Sequence, residues 1–463
     1  MSPRSLRNKL WAAAVAGAAA LSTSNAYFLF AMNDVITIER LDPIVSPGQV
    51  ASHVHTVMGG SNFRATTNTS FLRASECTSS PIKQDKSNYW APVRSFSIKL
   101  EFRLKRPPNA DSLLPVRLRA VLGVVVVLIH LQLGERLIQQ CDGQPSHVRP
   151  VAADYLFSDT PGATTPFPDD FRMISGNPTL RSYNGSDYAQ QAITFLCLDF
   201  SGVSTRFNQI PAQGCPSGMR AQINFPMCWD GKNADSPDHK SHVAFPSGGA
   251  DSGACTDPKY PKTLPRIFME MYLDTASWWN LRGQAMNPNQ PFVYSMGDPT
   301  GFGYHADFMM GWDANVLQGV VDRCNCNPYG DPTCCSNAGV FTFEQGGTCR
   351  ITQSVDEVTT GTIKTLPGNN PVVGFGANAP TLSGPAPPFI QPVYAYTGDS
   401  PTQTGTPVGG QVVAQTSAPG SAGDAPVAVP SAPAVIAPAF GNHRARKLGR
   451  SPGIQFYDAH SSF

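Results

Sequence analysis

The sequence predicts a mainly β protein: an antiparallel β-sandwich, or a barrel of the jelly-roll type, with long loops and several disulfides. Short apolar runs, for example residues 267–273 and 292–296, lie between clusters of Pro, Gly, Asn and Asp. Runs of this length bounded by turn residues are typical of strands. Long stretches with helical periodicity are scarce, which favours antiparallel sheets over a wound α/β sheet.

Residues 1–26 have the features of a secretory signal peptide. Basic residues within the first nine positions precede an apolar run at 10–21, and small residues follow at 24–26. The apolar run is well short of the roughly 20 residues that span a bilayer. Glycosylation sequons at Asn68 and Asn184 fit the same compartment. We therefore expect a secreted protein, extracellular or in a cell wall, with no membrane span.

Eleven cysteines in a chain with such a signal are most simply disulfide partners, because the compartment is oxidising. An odd number leaves at least one cysteine unpaired or paired outside the chain. A zinc site in the segment 324–335 is an open alternative, although its cysteine spacing departs from the usual separation of two residues. The cysteines are Cys77, Cys141, Cys197, Cys215, Cys228, Cys255, Cys324, Cys326, Cys334, Cys335 and Cys349.

Charge and composition limit the partners and suggest the domain boundaries. The 34 basic and 33 acidic residues leave a formal charge of +1, so no global field favours nucleic acid or an anionic membrane. From residue 366 to residue 463 Pro, Gly, Ala, Ser and Thr dominate, and this composition predicts a disordered tail. Residues 27–365 are then a β-rich catalytic or binding domain, which we expect to be monomeric.

Seven motifs follow one another along this domain. They are LDPIVSPG (41–48), SHVHTVMGG (52–60), DKSNYW (85–90), FRMISG (171–176), FPMCWDGK (225–232), DSPDHKSH (235–242) and GDPTGFGYHADF (297–308). In this order, over about residues 32–375, the chain resembles the fungal secreted family called domain of unknown function nineteen ninety-six. The resemblance implies a filamentous-fungal extracellular or cell-wall protein, and it brings no catalytic assignment.

Residues 95–150 depart from the family pattern, because similar members connect the DKSNYW and FRMISG motifs more briefly. The segment holds an uninterrupted apolar run at 120–129 and also Cys141, the natural candidate for the odd cysteine. A long hydrophobic insertion inside a compact domain is unusual. We therefore expect a non-native insertion or gene-model artefact; a buried strand or helix is the other interpretation of the run.

Histidines in the motifs supply a candidate metal site. His53 and His55 are two residues apart, so on a strand both side chains project from the same face, as do those of His305 and Asp307. Together with His242, these histidines match a site for a divalent metal such as copper or zinc. The cofactor is otherwise unknown. Core histidines with ordinary hydrogen-bond partners explain the same residues equally well.

Aspartates in the same motifs supply candidate catalytic groups. Glycoside hydrolysis needs one carboxyl group that protonates the leaving oxygen and a second that attacks or activates water. Asp230, Asp238 and Asp307, together with His239, are the candidates, and Glu270 lies on a predicted strand nearby. The alternative is that aspartates beside glycine and proline hold turns, which is their commonest role there.

Aromatic residues beside the polar motifs favour a carbohydrate substrate. Flat rings with polar handles suit the faces of sugars. The candidate substrate-binding residues are Tyr89, Trp90, Arg172, Tyr304 and Trp312. Large rings near cysteines also fill protein cores, and this interpretation stays open beside the first.

Three functions from different classes follow from these residues. The first, which we favour, is a secreted protein that binds or cleaves cell-wall or environmental polysaccharide, as a hydrolase or lyase, through a His/Asp-rich polar site. The second is a secreted metal-binding protein, with copper as one candidate metal. The third is a non-catalytic structural protein of the cell wall. Convergence of the motif histidines and aspartates on one point would distinguish a site from a scaffold.

Overall fold

A computed structural model describes residues 25–99, 136–140, 148–158, 162–376 and 386–398. The chain divides into two units, 1–414 and 415–463, and the second lies wholly outside the described residues. The predicted signal peptide also lies outside them, apart from Asn25 and Ala26. Most of the predicted tail does as well. Every helix in the described part of the chain is too short or too polar to cross a bilayer.

Strands account for most of the regular structure in the described residues. In chain order they are β1 (Asn25–Ala31), β2 (Thr37–Glu39), β3 (His55–Gly59), β4 (Asn88–Pro92), β5 (Arg94–Lys99), β6 (Arg136–Gln140), β7 (Val148–Ser158), β8 (Arg172–Gly176), β9 (Ile193–Cys197), β10 (Thr205–Phe207), β11 (Met219–Asn224), β12 (Cys228–Trp229), β13 (Val243–Ala244), β14 (Lys262–Thr263), β15 (Arg266–Leu273), β16 (Phe292–Tyr294), β17 (His305–Met309), β18 (Arg350–Ile351), β19 (Thr362–Ile363) and β20 (Ala395–Tyr396). The helices are α1 (Thr69–Arg73), α2 (Tyr188–Gln191), α3 (Ala276–Trp279), α4 (Val316–Arg323) and α5 (Thr333–Asn337), with 3-10 turns at Arg282–Gln284 and Pro367–Asn369.

The strands form two large sheets and three small ones. The six-stranded sheet has the order β1-β7-β15-β11-β9-β10, and the five-stranded sheet has the order β2-β3-β4-β17-β8. The small sheets are β16-β5-β6-β19, β13-β12-β14 and β18-β20. Neighbouring strands are antiparallel throughout. Within the described ranges no sheet closes on itself, so the predicted antiparallel β fold is confirmed and the closed barrel is not.

Alternation along the strands determines which side chains enter the main core. In β15, Ile267 and Met269 are buried in this core, whereas Arg266 remains partly exposed. In β17, Ala306 and Phe308 enter the same core. Because successive side chains of a strand point to opposite faces, the six-stranded and five-stranded sheets share one core through their inner faces. This is the packing of a sandwich.

The outer face of the five-stranded sheet is covered as well. Val57 of β3, Trp90 of β4 and Met309 of β17 pack in a second core with Ile36 and Leu41. Side chains on this outer face are therefore removed from water, whether they are apolar or polar. Polar groups buried here need partners within the protein or a ligand.

Ten cysteines form five disulfides: Cys77–Cys349, Cys197–Cys215, Cys228–Cys255, Cys324–Cys335 and Cys326–Cys334. The predicted disulfide framework is confirmed. The zinc alternative for the segment 324–335 is wrong, because two disulfides consume its four cysteines and leave no thiolate to bind a metal. Cys141 lies outside the described residues.

The segment 95–150 is described only at its ends and in β6. Its first residues continue β5, where Ser95 and Phe96 are fully buried. Strand β6 pairs with β5, and β7 pairs with β1 and β15 in the six-stranded sheet. The apolar run at 120–129 lies outside the described residues, and the non-native origin of the segment stays a prediction.

Candidate metal centre

Two of the motif histidines lie level with each other on the outer face of the five-stranded sheet. Val57 in β3 and Asp307 in β17 both pair with Trp90 of the intervening strand β4. His55 and His305 each lie two positions earlier in their strands, so they share the face of Val57 and Asp307 and the same level along the sheet. The register of three strands thus brings together residues from two distant motifs.

His53 completes a cluster of three imidazoles, which we call the trihistidine cluster. Its Nε2 atom lies 3.0 Å from Nε2 of His305, and its ring centroid is 4.3 Å from that of His55. One ring nitrogen from each histidine lies within 4.8 Å of the other two. The Nδ1 atom of His53 lies 2.9 Å from the hydroxyl oxygen of Ser52. All three imidazoles are buried.

Backbone carbonyls fix the orientation of two of the rings. Nδ1–H of His55 donates to the carbonyl of Leu41 at 3.0 Å, and Nδ1–H of His305 donates to the carbonyl of Gly303 at 2.9 Å. A carbonyl oxygen can only accept, so each neutral ring carries its proton on Nδ1 and has a lone pair on Nε2. Nε2 of His55 is buried and has no hydrogen-bond partner among the described residues. Metal-ligating histidines usually have this arrangement.

Burial keeps the three imidazoles neutral. Desolvation lowers the pKa of His55 to about 4 despite its hydrogen bond to a carbonyl. Desolvation, with the neighbouring His55, lowers the pKa of His305 to about 3. The pKa of His53 is lowered well below its ordinary value by burial and by the other two imidazoles. A metal binds the neutral form, so this cluster is ready to ligate at neutral pH.

A buried carboxyl group lies on the same strand face as the trihistidine cluster. Both carboxyl oxygens of Asp307 are buried without a hydrogen-bond partner among the described residues. Burial and the neighbouring Asp42 raise the pKa of Asp307 well above its ordinary value, and Lys240 acts in the opposite direction. Nζ of Lys240 donates to the carbonyl of Gly176 at 2.5 Å, and Gly176 pairs with His305. Titratable side chains other than imidazole therefore surround the cluster.

Asp42 and Lys240 also belong to these surroundings, and neither was among the site residues predicted from the sequence. Asp42 is buried, and its Oδ1 atom accepts the N–H groups of Ile44 and Val45, each at 3.0 Å. Burial raises the pKa of Asp42, against these hydrogen bonds and the nearby His305. Both residues can be found from the sequence by their position. Asp42 lies in the motif 41–48, which precedes the histidine-bearing motif 52–60, and Lys240 lies in the histidine-bearing motif 235–242.

The other two motif histidines have separate partners. Nε2–H of His242 donates to the carbonyl of Arg172 at 2.9 Å, and its Nδ1 atom lies 2.8 Å from the hydroxyl oxygen of Ser236. Both of its nitrogens are therefore engaged, and the structure does not bring His242 into the trihistidine cluster. Nδ1 of His239 lies 2.7 Å from Oδ1 of Asp235. The segment 234–242, which carries both histidines, runs along β8 at the edge of the five-stranded sheet.

Two of the predicted catalytic aspartates hold turns. Asp230 accepts the backbone N–H groups of Lys232 and Asn233, and exposed Asp238 accepts both the N–H and the hydroxyl of Ser241. Partial burial acts to raise the pKa of each carboxyl, but the hydrogen bonds outweigh it and the pKa is lowered. These contacts match the turn-holding alternative, whereas Asp307 lies on β17.

The four rings predicted to bind substrate are fully buried: Tyr89, Trp90, Tyr304 and Trp312. The hydroxyl of Tyr89, for example, donates to Oδ2 of Asp85 at 2.8 Å inside the main core. Core packing therefore occupies these rings and leaves no face free for a sugar, as the core-filling interpretation expects. Arg172 is partly exposed, and its Nε atom lies 3.6 Å from Oδ2 of Asp235.

The fold and the site together define a class: a disulfide-bonded β-sandwich protein with a buried trihistidine cluster on the outer face of one sheet. The chain belongs to the family described as Domain of unknown function (DUF1996), whose model matches residues 42–312. This match confirms the resemblance carried by the motifs, and it includes all three clustered histidines. Comparison with curated proteins and with solved structures gives no match.

Proposed function

We propose that this chain is an extracellular metal-binding protein that holds one divalent transition metal ion on His53, His55 and His305. The observation that carries the proposal is the convergence of three buried ring nitrogens, two of them with lone pairs fixed by carbonyl hydrogen bonds. Without a cation, Nε2 of His55 is a buried acceptor with no partner in the described residues. Such a group is costly to bury.

The ligand set favours copper or zinc. Three neutral imidazoles are typical ligands of Zn²⁺ and Cu²⁺, and Mg²⁺ and Ca²⁺ prefer oxygen ligands. The general order of affinities puts Cu²⁺ above Zn²⁺ for a given site. The nearby carboxyl groups of Asp42 and Asp307 would offset the charge of a bound cation once they are ionised.

The disulfides support an extracellular location for this function. Five disulfides within the described residues are typical of proteins that leave the reducing cytosol. Thiolate ligands oxidise in that compartment, whereas imidazole ligands do not. A buried imidazole site can therefore hold copper or zinc without losing its ligands to oxidation.

Metal titration of the secreted protein tests the proposal. After removal of metal with a chelator, calorimetry with CuCl₂ and with ZnCl₂ should give one site per chain, and elemental analysis should give the same ratio. Saturation at 100 times the dissociation constant should stabilise the fold by about 2.7 kcal/mol, measured as a rise in melting temperature.

Histidine variants locate the site. His53→Ala and His305→Ala should each abolish stoichiometric binding, whereas His242→Gln, which changes a buried histidine outside the cluster, should retain it. Wild-type protein that binds neither ion contradicts the proposal. Equal loss of binding in H242Q and H305A, with both variants folded, contradicts it as well.

A further inference from the structure

Three aromatic rings lie side by side next to the glycosylation sequon 184–186. The ring of Tyr183 stacks on that of Phe302, with the centroids 5.8 Å apart and the planes at 21°. The ring of Phe375 meets Phe302 edge to face, also at a centroid distance of 5.8 Å. Phe302 is 8% exposed, whereas Tyr183 is 39% and Phe375 66% exposed. We call these three rings the aromatic platform.

The aromatic platform leaves apolar ring surface in contact with water. Single exposed aromatic residues are common on proteins, whereas contiguous exposed rings usually mark a surface that a partner covers. A partner that fits must present apolar groups to the rings and polar groups to the solvent. The residue that follows Tyr183 in the chain is an attachment point for such a partner.

The sequon Asn184-Gly185-Ser186 forms an exposed turn directly after Tyr183. Oδ1 of Asn184 accepts the backbone N–H of Ser186 at 3.0 Å. Within the described ranges, neither Nδ2 of Asn184 nor the hydroxyl group of Ser186 makes a hydrogen bond. Nδ2 is the atom to which an N-linked sugar is attached, and a sequon of this kind belongs on the surface. The turn therefore presents its acceptor nitrogen to the solvent.

The turn is held against the aromatic platform. A Cβ at Gly185 would lie 3.3 Å from Cε1 of Tyr183, so the backbone of the sequon packs along the edge of that ring. Two side chains of α2 fix the turn from the other side. The backbone N–H of Asn184 donates to Oε1 of Gln190 at 2.7 Å, and Nε2 of Gln191 donates to the carbonyl of Gly185 at 2.7 Å. The acceptor side chain thus begins one residue from the platform, on a fixed backbone.

The second sequon, at Asn68, is part of the fold. Asn68 is the N-cap residue of α1, and its Oδ1 atom accepts the N–H of Phe71 at 2.8 Å and the hydroxyl of Ser70 at 2.9 Å. Its chain neighbour Thr69 is buried. Of the two sequons, the one at Asn184 therefore offers an attached sugar both open space and an aromatic surface.

We propose that Asn184 carries an N-linked glycan whose first N-acetylglucosamine ring packs on the aromatic platform. One face of a pyranose ring presents C–H groups, so it covers an aromatic ring and removes both from water, while the hydroxyl groups of the sugar stay hydrated. In the transfer, Nδ2 of Asn184 attacks the anomeric carbon of an oligosaccharide carried as a lipid diphosphate ester. The new N–C bond replaces the C–O bond to the diphosphate, the amide loses one proton, and the lipid diphosphate leaves.

This inference goes beyond metal binding. It rests on the extracellular location in the proposed function, because the transfer takes place in the secretory pathway, and it does not require a bound metal. The sequon and the aromatic platform share no residue with the trihistidine cluster. A variant without the glycan should therefore keep the metal ratio of the wild type, and the two proposals can fail separately.

Peptide mass spectrometry of the full-length protein, secreted from a fungal host, tests the modification. The peptide that contains Asn184 should carry N-acetylglucosamine extended by hexoses. Asn184→Gln and Ser186→Ala remove the sequon by independent changes, and both variants should lack this glycan. A wild-type protein in which Asn184 is unmodified overturns the proposal.

Thermal unfolding tests the packing on the aromatic platform. Loss of the glycan in N184Q should lower the melting temperature by about 2 °C, the shift expected when a protein of this size loses one contact of ordinary strength. An endoglycosidase that leaves a single N-acetylglucosamine should not change the melting temperature of the wild type, because the first sugar makes the contact. Wild type and N184Q from cells in which N-glycosylation is inhibited are the matched control, and they should melt together.

Removal of a platform ring distinguishes packing from a general effect of the glycan. In a Tyr183→Ser background, loss of the glycan should no longer change the melting temperature, because the sugar has lost its aromatic surface. If that variant does not fold, Phe375→Ser, at a ring that is 66% exposed, replaces it. Equal melting temperatures of glycosylated wild type and N184Q, or the same decrease with and without the ring, overturn the proposal.

Discussion

Nε2 of His53 and Nε2 of His305 lie 3.0 Å apart, although 252 residues separate them in the chain. Since the ring of His305 carries its proton on Nδ1, its Nε2 atom presents a lone pair to His53. A proton on His53 or a metal ion must lie between these two atoms, because two lone pairs at this distance repel. Because the three imidazoles converge only in the folded chain, the free energy of the proposed metal binding would add directly to the free energy of folding.

Metal affinity should be insensitive to pH over an unusually wide range. Burial lowers the pKa of His55 to about 4 and that of His305 to about 3, and protons compete with the metal only below those values. Calorimetric titrations should show less than about a tenfold change in affinity between pH 7 and pH 5.5 and a steep loss below about pH 4.5. A loss of affinity centred near pH 6.5, the value for exposed histidine, would contradict the buried ligand set.

Gly176 should be required for the position of His305. Gly176 has φ +83°, and a Cβ there would lie 2.4 Å from the carbonyl oxygen of Tyr304 and 2.8 Å from Cα of His305. Gly176→Ala should therefore destabilise the protein by roughly 1–3 kcal/mol and displace His305, weakening metal affinity at least tenfold. Gly374→Ala is the control, because a Cβ at Gly374 meets no atom within 4 Å. Unchanged metal affinity in G176A would show that the position of His305 does not depend on Gly176.

Asp85 should make the protein less stable as pH rises. Burial raises the pKa of Asp85 to about 7 against several hydrogen bonds, whereas the unfolded chain has the ordinary value near 4. Between these values the folded state holds one more proton, so stability is full below about pH 4 and is lost as pH rises to about 7. Relative to the wild type, Asp85→Asn should gain on the order of 4 kcal/mol from pH 4 to pH 7.

Urea unfolding at five pH values between 4 and 8 measures the Asp85 effect. Glu76→Gln, which changes an exposed carboxyl group, serves as the control and should differ from the wild type by a constant amount. A constant difference for D85N as well would mean that Asp85 does not retain its proton in the folded state.

The long-range disulfide should contribute more stability than a short-range one. Cys77–Cys349 closes a separation of 272 residues, whereas Cys326–Cys334 closes a separation of 8. In the chain-entropy model the first stabilises by about 5.6 kcal/mol and the second by about 2.5 kcal/mol. Replacement of each pair by serine, followed by unfolding in denaturant, should reproduce this order. The reverse order would show that native packing, not chain entropy, dominates.

The denatured, unreduced protein should expose one free thiol. Five disulfides account for ten of the eleven cysteines and leave Cys141. Thiol titration in denaturant measures this number directly, and peptide mapping identifies the labelled residue. Two or more thiols per chain would contradict the pairing. Absence of the peptide that contains Cys141 would instead support the prediction that residues 95–150 are a gene-model artefact.

Local patterns were enough to predict the type of fold and two of the three residues of the trihistidine cluster as near neighbours, His53 and His55. Short apolar runs between turn residues predicted the strands, and eleven cysteines behind a predicted signal peptide predicted the disulfides. The spacing of His305 and Asp307 correctly predicted that both share a strand face. The side of a strand on which a residue lies depends on a period of two, and this period can be read from the sequence alone.

Only the tertiary structure decided which faces meet. The pairing of Val57 and Asp307 with Trp90 brings His55 beside His305, while His242 lies on a chain segment along β8 and finds other partners. Strand register depends on the packing of the whole core, so residues more than a hundred positions apart acquire their neighbours only when the chain has folded.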